Sequence, residues 1–183
     1  MPVLRHILIW LTALVIGGAA NPAESAGGGV HAGRVEIVDG DTLIVSGTKA
    51  RIRLYGIDAP EGRQRCRDSS GVSYLCGARS AEHLNRLVGR NGRLSCVEMD
   101  RDRYGRIVAE CFRSDGVSIN AAMVADGWAV EYRRYSDGRY GRVEREARRA
   151  GRGLWGGHFT PPADWRRGTR LPAEANAGRI KGG

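Results

Sequence analysis

Between Arg34 and Phe112 the chain holds five short β-rich runs, and one helical run divides them three and two. The first three are Arg34 to Ile37, Thr42 to Ser46 and Arg51 to Ile57. Asp39-Gly40 and Gly47-Thr48 punctuate them as turns, and Pro60 ends the third. Arg51, Ile52, Arg53 and Leu54 alternate basic and apolar, the mark of a strand with one wet face. Gly62 to Tyr74 is polar and reads as a loop. Ala81, Leu84, Leu87 and Val88 follow at helical spacing, stopped by Gly89. The last two runs are Arg93 to Met99 and Arg106 to Phe112. Ser118 can cap a second helix carrying Ile119, Ala122 and Met123, and Val143, Ala147 and Ala150 mark a third, ended by Gly151.

This order predicts an α+β domain: a five-stranded, closed Greek-key barrel of the OB type with three α-helices. A chain of 183 residues has room for one such domain and flanking segments. Arg5 and His6 before an apolar run from Ile7 to Ile16, then small residues to Ala20, read as a signal peptide over 1–20. An uncleaved N-terminal anchor is the alternative. Residues 21–32 read as a flexible linker, 33–167 as the domain and 168–183 as a disordered tail. Export implies a periplasmic or secreted protein with no stable membrane partner once the leader is cleaved.

An oxidising compartment favours disulfides for the four cysteines, and the absence of any C-x-x-C pair argues against zinc. Cys96 and Cys111 lie on neighbouring strand-like runs and are expected to pair, leaving Cys66 with Cys76 across the loop. The formal net charge of +9 favours a polyanionic partner. Only Lys49 and Lys181 are lysines, and arginine's planar fork suits phosphate. A GC-rich genome would produce the same bias. The basic residues around the third helix, Arg139, Arg142, Arg145, Arg148, Arg149 and Arg152, read either as a phosphate-tracking patch or as a solvated face with Glu144 and Arg148 paired.

Five charged residues carry the chemistry: Asp41, Arg53, Asp58, Glu61 and Arg106. Asp41 and Asp58, with backbone carbonyls and water, suit a Ca²⁺ site, although an Asp beside a turn also reads as turn chemistry. Glu61, after the rigid Pro60, can take a proton from water, or is an exposed loop glutamate. Arg53 and Arg106 can fork a phosphate, yet Arg106 also reads as an edge-strand cation. The five-residue spacing of Arg53 and Asp58 puts them on opposite strand faces unless the chain bends near Gly56.

Three ordered blocks resemble the thermonuclease family, typified by staphylococcal nuclease: Val38-Asp39-Gly40-Asp41-Thr42, Arg53 to Glu61, and Asp102-Arg103-Tyr104-Gly105-Arg106. The likeness runs from about Arg34 to Trp155. It implies a Ca²⁺-dependent nuclease acting on DNA and RNA, single strands favoured, as a monomer. Asp41, Asp58 and the carbonyl of Ala59 would hold the metal, Ala59 standing where the archetype has threonine. Glu61 would be the general base, Arg53 and Arg106 would hold the scissile phosphate, and Tyr104 and Tyr132 would lie near the nucleotide. The products would be 3′-phosphate and 5′-hydroxyl ends. Arg53→Ala, Arg106→Ala and Glu61→Gln are expected to slow turnover without unfolding the protein. The four cysteines depart from the archetype. The rival reading is a non-catalytic OB module that binds nucleic acid. A disulfide-bonded envelope protein that binds anionic polymers is a third.

Overall fold

The computed structural model describes residues 29–46 and 51–172. The expected signal peptide, the expected linker up to residue 28, the expected Gly47-Thr48 turn and the expected tail from residue 173 lie outside the described residues. Strands β1 (Val30–Ile37), β2 (Thr42–Val45) and β3 (Arg51–Leu54) form an antiparallel meander. After the short strand β4 (Ile57–Asp58) come β5 (Arg65–Arg67), β6 (Ser73–Leu75) and helix α1 (Cys76–Val88). The hairpin of β7 (Arg93–Arg101) and β8 (Ile107–Phe112) then closes a barrel in the order β1-β2-β3-β8-β7. Helix α2 (Ile119–Ala125), strand β9 (Val130–Glu131), α3 (Arg133–Ser136) and α4 (Gly141–Arg149) follow. A 3₁₀ turn at Gly153–Gly156 leads to α5 (Pro162–Arg166).

The barrel core comes from alternation. Leu43, Val45, Ile52, Leu54, Ile107 and Ala109 point inward and are almost fully buried. Leu84 of α1 and Ile119, Met123 and Val124 of α2 extend the same core. The Ser118 hydroxyl caps α2 by accepting from the Ala121 N–H at 3.2 Å. Cys96 and Cys111 face each other across β7 and β8 and are joined, as Cys66 is to Cys76. Both pairings are those expected.

Four local expectations change. The run Arg51 to Ile57 is broken at Tyr55-Gly56, where Gly56 takes a φ of +69°. A side chain there would crowd Ser136 and Tyr140 as well as strain the backbone. The segment 62–74 is a hairpin of β5 and β6 rather than a loop. Its exposed, polar residues carry no period-two signal, and the Cys66–Cys76 bridge and a backbone exchange between Arg67 and His158 hold it instead. Residues 30–32, read as linker, pair with β7. The start of the expected tail is packed: the Thr169 N–H donates to the Asp164 carbonyl at 3.0 Å, and Arg170 lies 4.0 Å above the Trp165 ring.

Candidate active site

The register of three strands and one sharp bend assembles the charged residues. Thr42 pairs with Arg53 across β2 and β3, which sets Asp41 beside Arg53 at the barrel rim. The bend at Gly56 then turns the chain, and β4 is held by β9 through Ile57–Glu131 and Asp58–Val130. The buried Asn120 amide fastens this bend, donating to the carbonyls of Tyr55 (3.0 Å) and Ala109 (3.2 Å). Arg53 and Asp58, separated by five residues, therefore meet. The Arg53 fork bridges both acids: Nη1 donates to Asp41 Oδ1 at 2.8 Å and Nη2 to Asp58 Oδ1 at 2.9 Å.

Asp41 and Asp58 are 3% and 1% exposed. Asp41 Oδ2 also accepts from the Ala59 N–H at 2.9 Å. Burial, aided by the charges of Asp39 and Asp58, pushes the Asp41 carboxyl up to about 7 against the pull of Arg53 and the Ala59 N–H. Arg53 is desolvated, yet Asp41 and Asp58 outweigh that and raise its pKa.

Above this floor lies a cavity of about 770 Å³ whose wall includes Asp41, Arg53, Ala59, Glu61, Tyr104, Arg106 and Tyr132. Glu61 begins the turn after Pro60; its carbonyl accepts from the Gln64 N–H at 2.6 Å, and its own N–H donates to Gln64 Oε1 at 3.2 Å. Gly77 lets the first turn of α1 pass close by, since a Cβ there would lie 1.9 Å from the Glu61 carbonyl oxygen. Arg106 stands at the tip of the β7–β8 hairpin, just before β8, and donates from Nε to Asp102 Oδ2 at 2.7 Å. Asp102 also accepts from the N–H groups of Tyr104 and Arg106. Burial opposes ionisation of Asp102, but these bonds outweigh it and hold its pKa low. Tyr104 is 69% exposed, with the Arg103 and Arg106 guanidiniums 4.8 and 5.8 Å from its ring. Tyr132 meets Tyr135 edge to face at 5.0 Å.

Sequence reasoning missed Arg166, which enters the same cavity from α5. It donates to both oxygens of Asp58 and to Glu61 Oε1, all at 2.8–2.9 Å. Those bonds outweigh its burial and raise its pKa. The signal available was the Pro161-Pro162 pair, a helix-start cue inside a segment with no other pattern.

The donor set suits a hard cation: carboxylates and hydroxyls line the cavity, and no sulfur or imidazole does. Three carboxylates, Asp41, Asp58 and Glu61, share two guanidiniums, Arg53 and Arg166. Among the described residues no three His, Cys, Asp or Glu side chains form a ready cage. The two aspartates would need backbone oxygen and water to complete a coordination shell.

The arginine stretch around α4 is largely engaged within the protein. Arg139 pairs with Glu110, Arg152 donates to the Ala125 carbonyl at 3.0 Å, and Arg148 lies 5.4 Å from the Trp155 ring. The helical i,i+4 pair is Arg142–Glu146 at 2.6 Å, not Glu144–Arg148. Glu144 instead accepts the Glu131 N–H at 2.8 Å, because β9 passes directly over it.

A model of the family described as staphylococcal nuclease homologue matches residues 51–157, so Asp41 and Arg166 lie outside the matched stretch. An uncharacterized endonuclease of Escherichia coli is 36% identical over 141 residues, covering 75% of this chain and 85% of that protein. A micrococcal nuclease of Shigella flexneri is 34% identical over 150 residues, 74% and 80% of the two chains. The succinoglycan biosynthesis protein ExoI of Rhizobium meliloti is 37% identical over 123 residues, and the match spans 67% of this chain and 63% of that protein.

Proposed function

The chain belongs to the staphylococcal nuclease homologue family, and from that premise we propose that it hydrolyses phosphodiester bonds of DNA and RNA with the help of Ca²⁺. The observation that supports this best is the convergence of Asp41, Arg53, Glu61 and Arg106 on one cavity, with Asp58 bonded to Arg53 beneath. In this reading Asp41, Asp58 and the Ala59 carbonyl hold the cation. When bound, it supplies positive charge against the phosphoryl oxygens.

The protein's own groups do the rest. Arg106 and Arg53 receive the phosphate, their forks matched to two of its oxygens. Arg53 does so while keeping the floor acids in place. Glu61 accepts the proton of a water that attacks phosphorus from the side opposite the leaving group. The bond from phosphorus to the 5′ oxygen breaks, and that oxygen takes up a proton. A 3′-phosphate and a 5′-hydroxyl result. Tyr104 and Tyr132 offer ring faces to the adjoining nucleotide. Contacts of this kind address phosphate rather than sugar, which fits use of both nucleic acids.

Two disulfides fit an oxidising compartment, and with the leader-like first twenty residues they support an exported protein. Among the described residues no helix is long and apolar enough to cross a membrane.

The test is incubation of the purified protein with single-stranded DNA, in Ca²⁺ or in chelator, with end-group analysis of the products. The expected result is metal-dependent fragments carrying 3′-phosphates. A retained but uncut strand would make this a binding module and end the hydrolytic reading.

A further inference from the structure

Arg166 does more than line the cavity. Its Nη1 lies 2.9 Å from Asp58 Oδ1 and 2.8 Å from Glu61 Oε1 at once, while Nη2 closes the fork on Asp58 Oδ2. One nitrogen therefore fills the gap between the proposed metal ligand and the proposed base. The attacking water would have to stand in that gap, within reach of Glu61 and beside a cation on Asp58. Hydrogen-bond contacts on both sides leave no room for it. The guanidinium also repels a divalent cation approaching the same carboxylate.

The arm that delivers Arg166 is anchored along its length. Arg67 and His158 exchange backbone hydrogen bonds at 2.8 Å each. Gln64, fully buried, donates from Nε2 to the Thr160 carbonyl at 2.7 Å and accepts from the Glu61 N–H through Oε1. The Cys66–Cys76 bridge closes the same loop. The base loop and the arm are thus one packed unit. The Arg166 side chain is 35% exposed, so it can turn toward solvent without opening the core.

We propose that Arg166 is a built-in competitor for the divalent cation, latching Asp58 to Glu61 and releasing both before water can be activated. The inference rests on the roles given above to Asp58 and Glu61. Its consequence is a higher metal requirement than the two aspartates alone would set.

The experiment is calorimetric titration of CaCl₂ into chelator-stripped, full-chain protein without nucleic acid. Arg166→Gln should bind calcium at least about tenfold more tightly than the wild type, the effect of removing three charge-assisted contacts to two carboxylates at a partly exposed site. Arg166→Lys should fall between them, because a point charge cannot span both carboxylates. Equal or weaker binding in Arg166→Gln, or no calcium binding in any form, overturns the latch. If circular dichroism shows Arg166→Gln unfolded, Arg166→Lys carries the test, and binding no tighter than wild type overturns it. Cleavage by the wild type at saturating calcium is scored separately. Tighter binding in the variant with no cleavage by the wild type keeps the latch and sinks the nuclease reading. Cleavage with unchanged binding does the reverse.

Discussion

Asp41 and Asp58 at the floor of the site, and Glu61 and Arg106 at its rim, are held in different ways. The floor acids are buried, bridged by Arg53, and fixed by strand register, a backbone N–H at Asp41 and the Arg166 fork at Asp58. The rim groups are partly exposed and held by side chains alone: Arg166 for Glu61, Asp102 for Arg106. Removing a partner from a buried charge leaves it uncompensated, whereas an exposed ion pair contributes little to stability. Floor and rim should therefore separate in experiment: floor variants damage fold and turnover together, rim variants damage turnover alone.

Arg53→Ala is the harshest test of that division. It strips both buried acids of their common partner, so a loss of stability is expected beside the loss of turnover. Thermal melts should show a loss of about 3–5 kcal/mol, and turnover should fall at least about a hundredfold. An unchanged melt would mean that Asp41 tolerates the loss of its charged partner, and floor and rim would no longer differ.

Arg106→Ala should lower turnover by about a hundredfold while stability shifts by less than about 1 kcal/mol. A large drop in melting temperature would move Arg106 from the rim class to the floor class.

A separate effect is one of pH. The Asp41 carboxyl sits near 7 in the folded chain against an ordinary 3.8. Between those values the folded state binds more protons than the unfolded one, so stability falls as pH rises across that window. Melting temperatures of protein in chelator should decline from about pH 4 to about pH 7, and calcium at pH 8 should restore them by favouring the ionised acid. A flat profile in chelator would show that Asp41 does not carry the strain.

Strand alternation and turn residues make the barrel legible in the sequence, because Ile52, Leu54, Ile107 and Ala109 obey period two and glycines mark the turns. The cysteine pairing was legible for the same reason: Cys96 and Cys111 sit on runs that a hairpin must align. The meeting of Arg53 with Asp58 was not, since it depends on one positive φ at Gly56 and on β9, more than seventy residues away, holding β4. Arg166 was hidden more deeply. It lies past the last periodic segment, on a five-residue helix held by Gln64 and a backbone bridge rather than by an apolar face.

In the proposed reaction Glu61 takes a proton from water at the mouth of this cavity. Single-turnover cleavage of a short single-stranded DNA by wild type and Glu61→Gln, in saturating calcium and with matched melting temperatures, tests it most directly. A rate at least about a hundredfold lower is expected for the variant. Cleavage by Glu61→Gln at the wild-type rate would contradict it.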